Sequence, residues 1–158
     1  MVIMGIDPGI ATAGYGVIEY HAGRFKVLEY GVFQTAAHTL ASQRLKEVYD
    51  ASYGIIERYS PQGVAIEELF WNTNAKTGIM IAQARGALIL SVVNNGVDVY
   101  EYTPLQVKQA VTGYGRADKT QMQQMVKVLL NLNEVPKPDD AADALAIAIC
   151  HAHSARER

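Results

Sequence analysis

A single cysteine, Cys150, in a chain of 158 residues leaves no internal disulfide to form, so noncovalent packing has to hold the fold. Cys150 sits in an apolar run, where a thiol packs as a small hydrophobe. No cluster of Cys and His offers the donors that zinc prefers. Prolines number only five, and no repeat, low-complexity or linker-like stretch divides the chain. With 49% hydrophobic content, this length is enough to fill the core of one compact domain spanning 1–158. There is no basic N-terminal region followed by a long apolar run. The most apolar helical stretch, Ile79 to Val93, is interrupted by Gln83 and Arg85, so a soluble, unsecreted, cytoplasmic protein is expected, with no membrane partner. An excess of positive charge is missing too. The net charge of −2 argues weakly against nucleic acid, because DNA-binding domains are basic overall. Distribution matters more than the sum, however. If four or five of the 16 acids gather around metal, the rest of the surface is neutral to basic. Lys76, Arg85, Lys108, Arg116, Lys119 and Lys127 then lie in the central third and beyond, although any of them also reads as a solvated helix residue.

What the chain does have is four carboxylates in suggestive places. Asp7 closes the apolar run Val2 to Ile6, and Glu67 closes Val64 to Ile66, so each acid sits where a buried strand leaves the core. If those strands are parallel neighbours, both acids emerge at one edge. Asp140 and Asp143 are three apart, on one face of a helix whose start is limited by Pro136 and Pro138. Crowded carboxylates repel one another, and divalent metal relieves that repulsion. Hard oxygen ligands suit Mg2+ or Mn2+, and two such ions roughly 4 Å apart can flank a scissile phosphate. Taken singly, Asp7 before Pro-Gly also reads as a turn residue, and Asp139 or Asp140 after a proline as an N-cap. Glu67 ends a strand apolar enough to be buried and so needs a partner. Glu68 rivals it, since strand alternation sends the two to opposite faces, and spacing alone does not choose.

Gly14 to Glu19 and Lys26 to Phe33 read as strands around a turn at His21, Ala22 and Gly23, continuing the first strand into an antiparallel meander. Ser42 to Tyr59 has helical apolar spacing and stops before Pro61. A strand ending at Glu67 follows, then a long helix from Ala75 to Val93 and a fifth strand from Asp98 to Tyr102. Thr103 caps a short helix that opens at Pro104, Asp118 caps Lys119 to Leu130, and a final helix runs from Asp139 to His153. The expected class is α/β, with a mixed five-stranded sheet of three antiparallel and two parallel strands flanked by helices. The Ala75 to Val93 helix is apolar over more than one face. It therefore covers the sheet with one face and packs either on a second copy of the protein or on another helix of the same chain with the other.

Several segments together resemble the RuvC family of crossover junction resolvases. They are Gly-Ile-Asp-Pro-Gly at 5 to 9 with Gly14-Tyr-Gly-Val, Ala-Ile-Glu-Glu-Leu-Phe at 65 to 70, Gln83-Ala-Arg-Gly-Ala, Gln106-Val-Lys-Gln, and Asp140-Ala-Ala-Asp-Ala-Leu-Ala-Ile-Ala. The resemblance spans the chain in order. It implies an RNase H-like fold and a homodimeric endonuclease that nicks two strands of a four-way Holliday junction symmetrically, leaving ligatable 5′-phosphate ends, in homologous recombination and DNA repair. It implies Asp7, Glu67, Asp140 and Asp143 as catalytic, metal-binding acids with two Mg2+ or Mn2+ ions, choosing Glu67 over Glu68 and Asp140 over Asp139. It puts Phe70 near the junction centre, where a ring can stack on an unpaired base, although a Phe there can also be core. Lys108 and Lys119 match lysines beside the active site, where a cation neutralises charge on the phosphate. Arg116 and Lys76 are further DNA-contact candidates, and Ile79, Ala82, Gly86 and Ile89 candidates for the dimer interface. The branch-migration proteins RuvA and RuvB are the partners the family implies. Trp71, His151 and His153 receive no role.

Two rivals remain. Asp7-x-Gly9 before a hairpin is also similar to the phosphate loop of actin-like kinases and ATPases, but those enclose nucleotide between two such domains, which 158 residues cannot hold. A catalytically silent junction-binding protein of the same fold is the other, and it would be the better reading if one of the four acids were missing.

Overall fold

The computed structural model describes residues 1–69 and 74–155. Its elements are β1 (Val2–Asp7), β2 (Thr12–His21), β3 (Arg24–Gln34), α1 (Ala41–Tyr59), β4 (Gly63–Glu67), α2 (Ala75–Asn94), β5 (Val99–Tyr102), α3 (Pro104–Thr112), α4 (Lys119–Leu129) and α5 (Asp139–Ser154). The sheet order is β3-β2-β1-β4-β5. The first three strands are antiparallel, whereas β4 runs parallel to β1 and to β5. This is the mixed five-stranded sheet expected from the sequence.

Differences lie at the element ends. The hairpin strands run longer than their apolar cores suggest, because Ala22 and Gly23 both adopt positive φ, at 49° and 83°, and make a tight turn that extends the ladder to His21 and Arg24. Helix α1 stops at Ser60, whose left-handed backbone returns its N–H to the Ile56 carbonyl, one residue ahead of the proline. The two capping residues read from sequence hold. The Thr103 hydroxyl accepts from the Gln106 N–H at 3.1 Å, and the Asp118 carboxylate accepts from the Gln121 N–H at 2.8 Å. At α5 neither Asp139 nor Asp140 is the cap. The cap position is Pro138, with no side-chain hydrogen bond, and both aspartates sit in the first helical turn. There the partial positive charge of the helix terminus favours carboxylates.

The sheet divides two cores. Strand alternation sends Ile3, Ile18 and Ala65 toward α5, where they pack with Leu145, Ile147 and Ile149. Met4, Ile6, Val64 and Ile66 face the other way, toward Val48, Ile56, Leu88 and Val92 of α1 and α2. Helix α2 buries Ala84, Leu88 and Val92, and a hydrogen bond of 2.8 Å from Ser91 to Ser52 joins it to α1. Another helix of the same chain thus meets part of its surface, yet Ile79, Leu90 and Val93 stay more than half exposed. By length and composition α2 is apolar enough to cross a membrane, although it carries Arg85 and packs one face into the core.

Candidate active site

The register of the sheet sets the acids. Ile6 pairs with Ile66 across β1 and β4, so Asp7 and Glu67 leave the sheet side by side at the same edge. Asp7 shares its face with Gly5 and Ile3, and Glu67 shares its face with Ala65, so both side chains turn toward α5. That separates Glu67 from Glu68, which lies past the strand end.

Helix α5 can bring its own acids down to this edge because the sheet beneath it lacks side chains. A Cβ on Gly5 would stand 2.0 Å from the Ala144 carbonyl oxygen, and one on Gly14, which pairs with Asp7, would stand 1.9 Å from the carbonyl oxygen of Asp140. Alanines at 141, 142, 144, 146 and 148 make the helix side of the contact equally thin. The first turn of α5 therefore rests on β2 at Gly14, beside the end of β1.

As a result, one carboxylate oxygen each from Asp7, Asp140 and Asp143 lies within 4.8 Å of the other two. Glu67 stands outside this tight group but joins Asp7 and Asp143 in lining a cavity of 320 Å³, together with Lys108 and Lys119. Burial, and then the charges of Asp143, Glu67 and Asp140, push the Asp7 carboxyl up to about 8. Asp143 is raised chiefly by burial, against the pull of the Lys119 ammonium. Glu67 is raised by burial and by Asp143, with Lys108 acting the other way.

Lys108, on α3, is the cation whose field reaches Glu67. Lys119 is the first residue of α4, where the helix dipole disfavours a cation, and it pairs with Asp139 at 2.7 Å. Gln123 donates to the same Asp139 carboxylate at 3.0 Å. Arg116 is exposed in the turn before α4, next to Ala117, which lines the cavity, whereas Lys76 is exposed in the first turn of α2 and does not line it. Phe70 and Trp71 lie outside the described residues. Of the interface candidates, Ile79 and Gly86 are exposed, and Ala82 and Ile89 half-buried. With Leu90 and Val93 they form a stripe along one side of α2.

The histidines pack away from the acids. His151 Nδ1 lies 2.7 Å from the Tyr102 hydroxyl, with its ring on Tyr100, and His153 Nδ1 lies 2.9 Å from the Ala110 carbonyl oxygen. Cys150 is buried, its thiol pushed up to about 11 by loss of water. One residue at the site, named from the sequence only as a basic residue of the long helix, was given no role there. Arg85 lines a second cavity of 240 Å³ beside Asp7, Glu67 and Glu68. The available signal was an arginine inside an otherwise apolar helical run.

The donor set fits a hard divalent cation. It offers carboxylate oxygens only, three of them already close enough to share one ion, and it offers them where burial and mutual repulsion penalise negative charge unless a cation is present.

Comparison with known proteins agrees with this geometry. The family model described as crossover junction endodeoxyribonuclease RuvC matches residues 3–151. The crossover junction endodeoxyribonuclease RuvC of Caldanaerobacter subterraneus is 62% identical over 154 residues, covering 98% of this chain and 93% of that one. Its counterpart from Alkaliphilus oremlandii is 59% identical over 154 residues, covering 98% and 94%. Among solved structures, Thermus thermophilus RuvC in complex with Holliday junction substrate superposes with a TM-score of 0.95 at 38% identity, covering 99% of this chain and 96% of that one. The yeast mitochondrial Holliday junction resolvase Ydc2, at 15% identity and a TM-score of 0.68, shares the fold. An RNase H-like sheet, a cluster of acids at its edge and this degree of identity over nearly the whole length together place the chain in the RuvC family of crossover junction endodeoxyribonucleases.

Proposed function

We propose that this chain is a metal-dependent endonuclease that resolves Holliday junctions by symmetric nicking of two strands, one domain carrying the whole activity. The observation that carries the reading is the meeting of Asp7, Asp140 and Asp143 within 4.8 Å, with Asp7 and Asp143 lining, beside Glu67, a cavity that also holds Lys108 and Lys119. Acids that bind hard cations and lysines that bind phosphate are the two halves of a phosphodiester site.

Asp7, Glu67, Asp140 and Asp143 would hold the metal, Mg2+ or Mn2+, most simply as two ions. When bound, the metal supplies activation of water and neutralisation of charge on the phosphate. The chain's own contributions are positional. The thin contact of α5 on β1 and β2 fixes the three aspartates before substrate arrives, so little reorganisation remains for the chemical step. Hydrolysis adds water to phosphorus and breaks the bond to the 3′-oxygen, leaving a 5′-phosphate. Lys108 faces Glu67 across the cavity and is suited to meet the charge that grows on the phosphate. Replacing it by alanine is expected to lower kcat by about 10²- to 10³-fold, with junction affinity changed only a few-fold, in single-turnover cleavage assays. Loss of affinity with unchanged kcat would make Lys108 a simple DNA contact.

The exposed stripe on α2 supports a homodimer through a two-fold axis, which would set two active sites to match the symmetry of an opened junction. Phe70, Arg116 and Lys76 remain candidates for DNA contact, and RuvA and RuvB for partners in a cytoplasmic recombination pathway. The experiment is strand cleavage of a labelled four-way junction beside a linear duplex of the same sequence, with and without Mg2+. Paired symmetric nicks in the junction alone, lost without metal, are expected. Binding without nicks would mean a catalytically silent junction-binding protein. A monomeric variant that still cuts both strands in concert would overturn the dimer.

A further inference from the structure

We propose that Arg85 is a positioning residue for Glu67, clamping the end of β4 so that the glutamate carboxylate stands at a fixed distance from the three aspartates. The inference rests on the metal-dependent nuclease reading and deepens it. Glu67 is the last residue of β4, and the chain leaves the sheet immediately after it. It lies outside the tight aspartate group, so the reach of its carboxylate depends on where the strand end is held. The Arg85 guanidinium holds that end from the α2 side. Its Nε donates to the Glu67 backbone carbonyl at 3.2 Å, and its Nη2 lies 3.1 Å from Oε1 of Glu101 on the neighbouring strand β5. Glu101 faces Ile66 across the ladder, and the Glu68 N–H donates to the Tyr102 carbonyl at 2.8 Å. The two strand ends are thus tied together on either side of Glu67.

The Arg85 side chain is only 15% exposed, and a cation so withdrawn from water has to be paired and hydrogen-bonded to be tolerated. A guanidinium suits the place because its donors diverge in one plane and can serve a carbonyl and a carboxylate at once, which a lysine ammonium on a single stem does less well. The bond to a backbone carbonyl leaves the Glu67 carboxylate free for the cavity. Arg85 acts through Glu67, with no part in the bonds that break.

Two measurements test this: isothermal titration of Mn2+ into the DNA-free protein, and the Mn2+ dependence of junction nicking. Arg85→Gln is expected to weaken Mn2+ binding and to lower kcat at saturating metal, each by about 10-fold or more, while junction affinity without divalent metal stays within about twofold. Arg85→Lys, which keeps the charge but reaches only one partner, is expected to fall between and serves if the glutamine variant does not fold. The exchange Arg85→Glu with Glu101→Arg restores the ion pair but leaves no donor for the Glu67 carbonyl. It should recover the melting temperature without recovering Mn2+ affinity. Full recovery of metal binding by the exchange, or unchanged Mn2+ affinity in Arg85→Gln, would overturn the proposal, as would a loss confined to junction affinity. If the wild type binds Mn2+ but does not nick the junction, the nuclease reading fails, while the titration still reads the effect of Arg85 on the metal site.

Discussion

Replacing Asp7 by asparagine is expected to do two opposite things: to abolish junction cleavage and to make the metal-free protein more stable. The first follows from removing a central metal-binding carboxylate, and a loss of at least about 10³-fold in kcat is expected. The second follows from the cost of keeping that charge in the apo fold. Asp7 has an ordinary value of 3.8 and is pushed up to about 8 in the folded state, so between these limits the folded protein holds a proton that the unfolded chain has released. Stability of the metal-free wild type therefore falls as pH rises from about 4 to about 8, and the deficit is complete above that range. At about 1.4 kcal/mol per unit, and allowing for relaxation of the acids away from one another, the deficit is on the order of 3 kcal/mol. Asparagine has nearly the same shape, carries no charge, and can donate to a neighbouring aspartate. At pH 8.5 without metal it should melt roughly 6–10 °C above wild type, and at pH 4 the two should melt together. Added Mg2+ should raise the wild type and narrow the gap. Coincident melting at pH 8.5 would show that Asp7 is not the strained charge the fold describes.

The second large effect is expected at Gly14. A Cβ there would lie 1.9 Å from the Asp140 carbonyl oxygen and 2.4 Å from its carbonyl carbon, both backbone atoms that no rotamer change can move. Helix α5 would have to lift at its N-terminal end, carrying Asp140 and Asp143 with it. Overpacking of this kind costs about 1–3 kcal/mol. A displacement of about 1 Å at the reacting centre costs about 100-fold in rate, so Gly14→Ala should lose far more activity than stability. Gly5→Ala, at 2.0 Å from the Ala144 carbonyl and 2.7 Å from the Ala148 nitrogen, meets the middle of the helix and should lose more stability. Gly54→Ala is the control. It lies in α1 with nothing within 4 Å of the added carbon and should gain about 0.5–1 kcal/mol from helix propensity alone. Thermal melts and Mg2+-saturated cleavage rates of the three variants separate these outcomes. A Gly14→Ala variant with wild-type kcat would show that α5 is not seated as deeply as the structure has it.

Much of this protein was legible without coordinates because the signals are local. Alternation of apolar residues marks strands, and a capping residue marks a helix start. Thr103 before Pro104, and Asp118, carry that information locally, and the structure adds that the side chains of Gln106 and Gln121 return the bonds. The order of strands and helices, the mixed sheet, and the placing of Asp7 and Glu67 at strand ends follow from such patterns. So does the recognition of the family, from motifs that stay together in order. Asp139 and Asp140 show the limit even of local reasoning: an acid after a proline looks like a cap, but the cap position is the proline itself and the helix begins at Asp139.

Only the tertiary structure decided distances. Nothing in Gly5 or Gly14 as letters says that a helix more than 120 residues later will rest its backbone on them, because the contact is made by the absence of an atom and depends on where α5 lands. Nothing local says that the three aspartates close up while Glu67 stands apart, or that Arg85 reaches back 18 residues to a carbonyl at the end of β4. The sequence by itself determined which groups exist and which of them close a strand or open a helix, since short-range alternation and capping are properties of neighbouring residues. The depth of the helix, the crowding of the charges and the clamp behind Glu67 come from long-range packing, where position is set by every element at once.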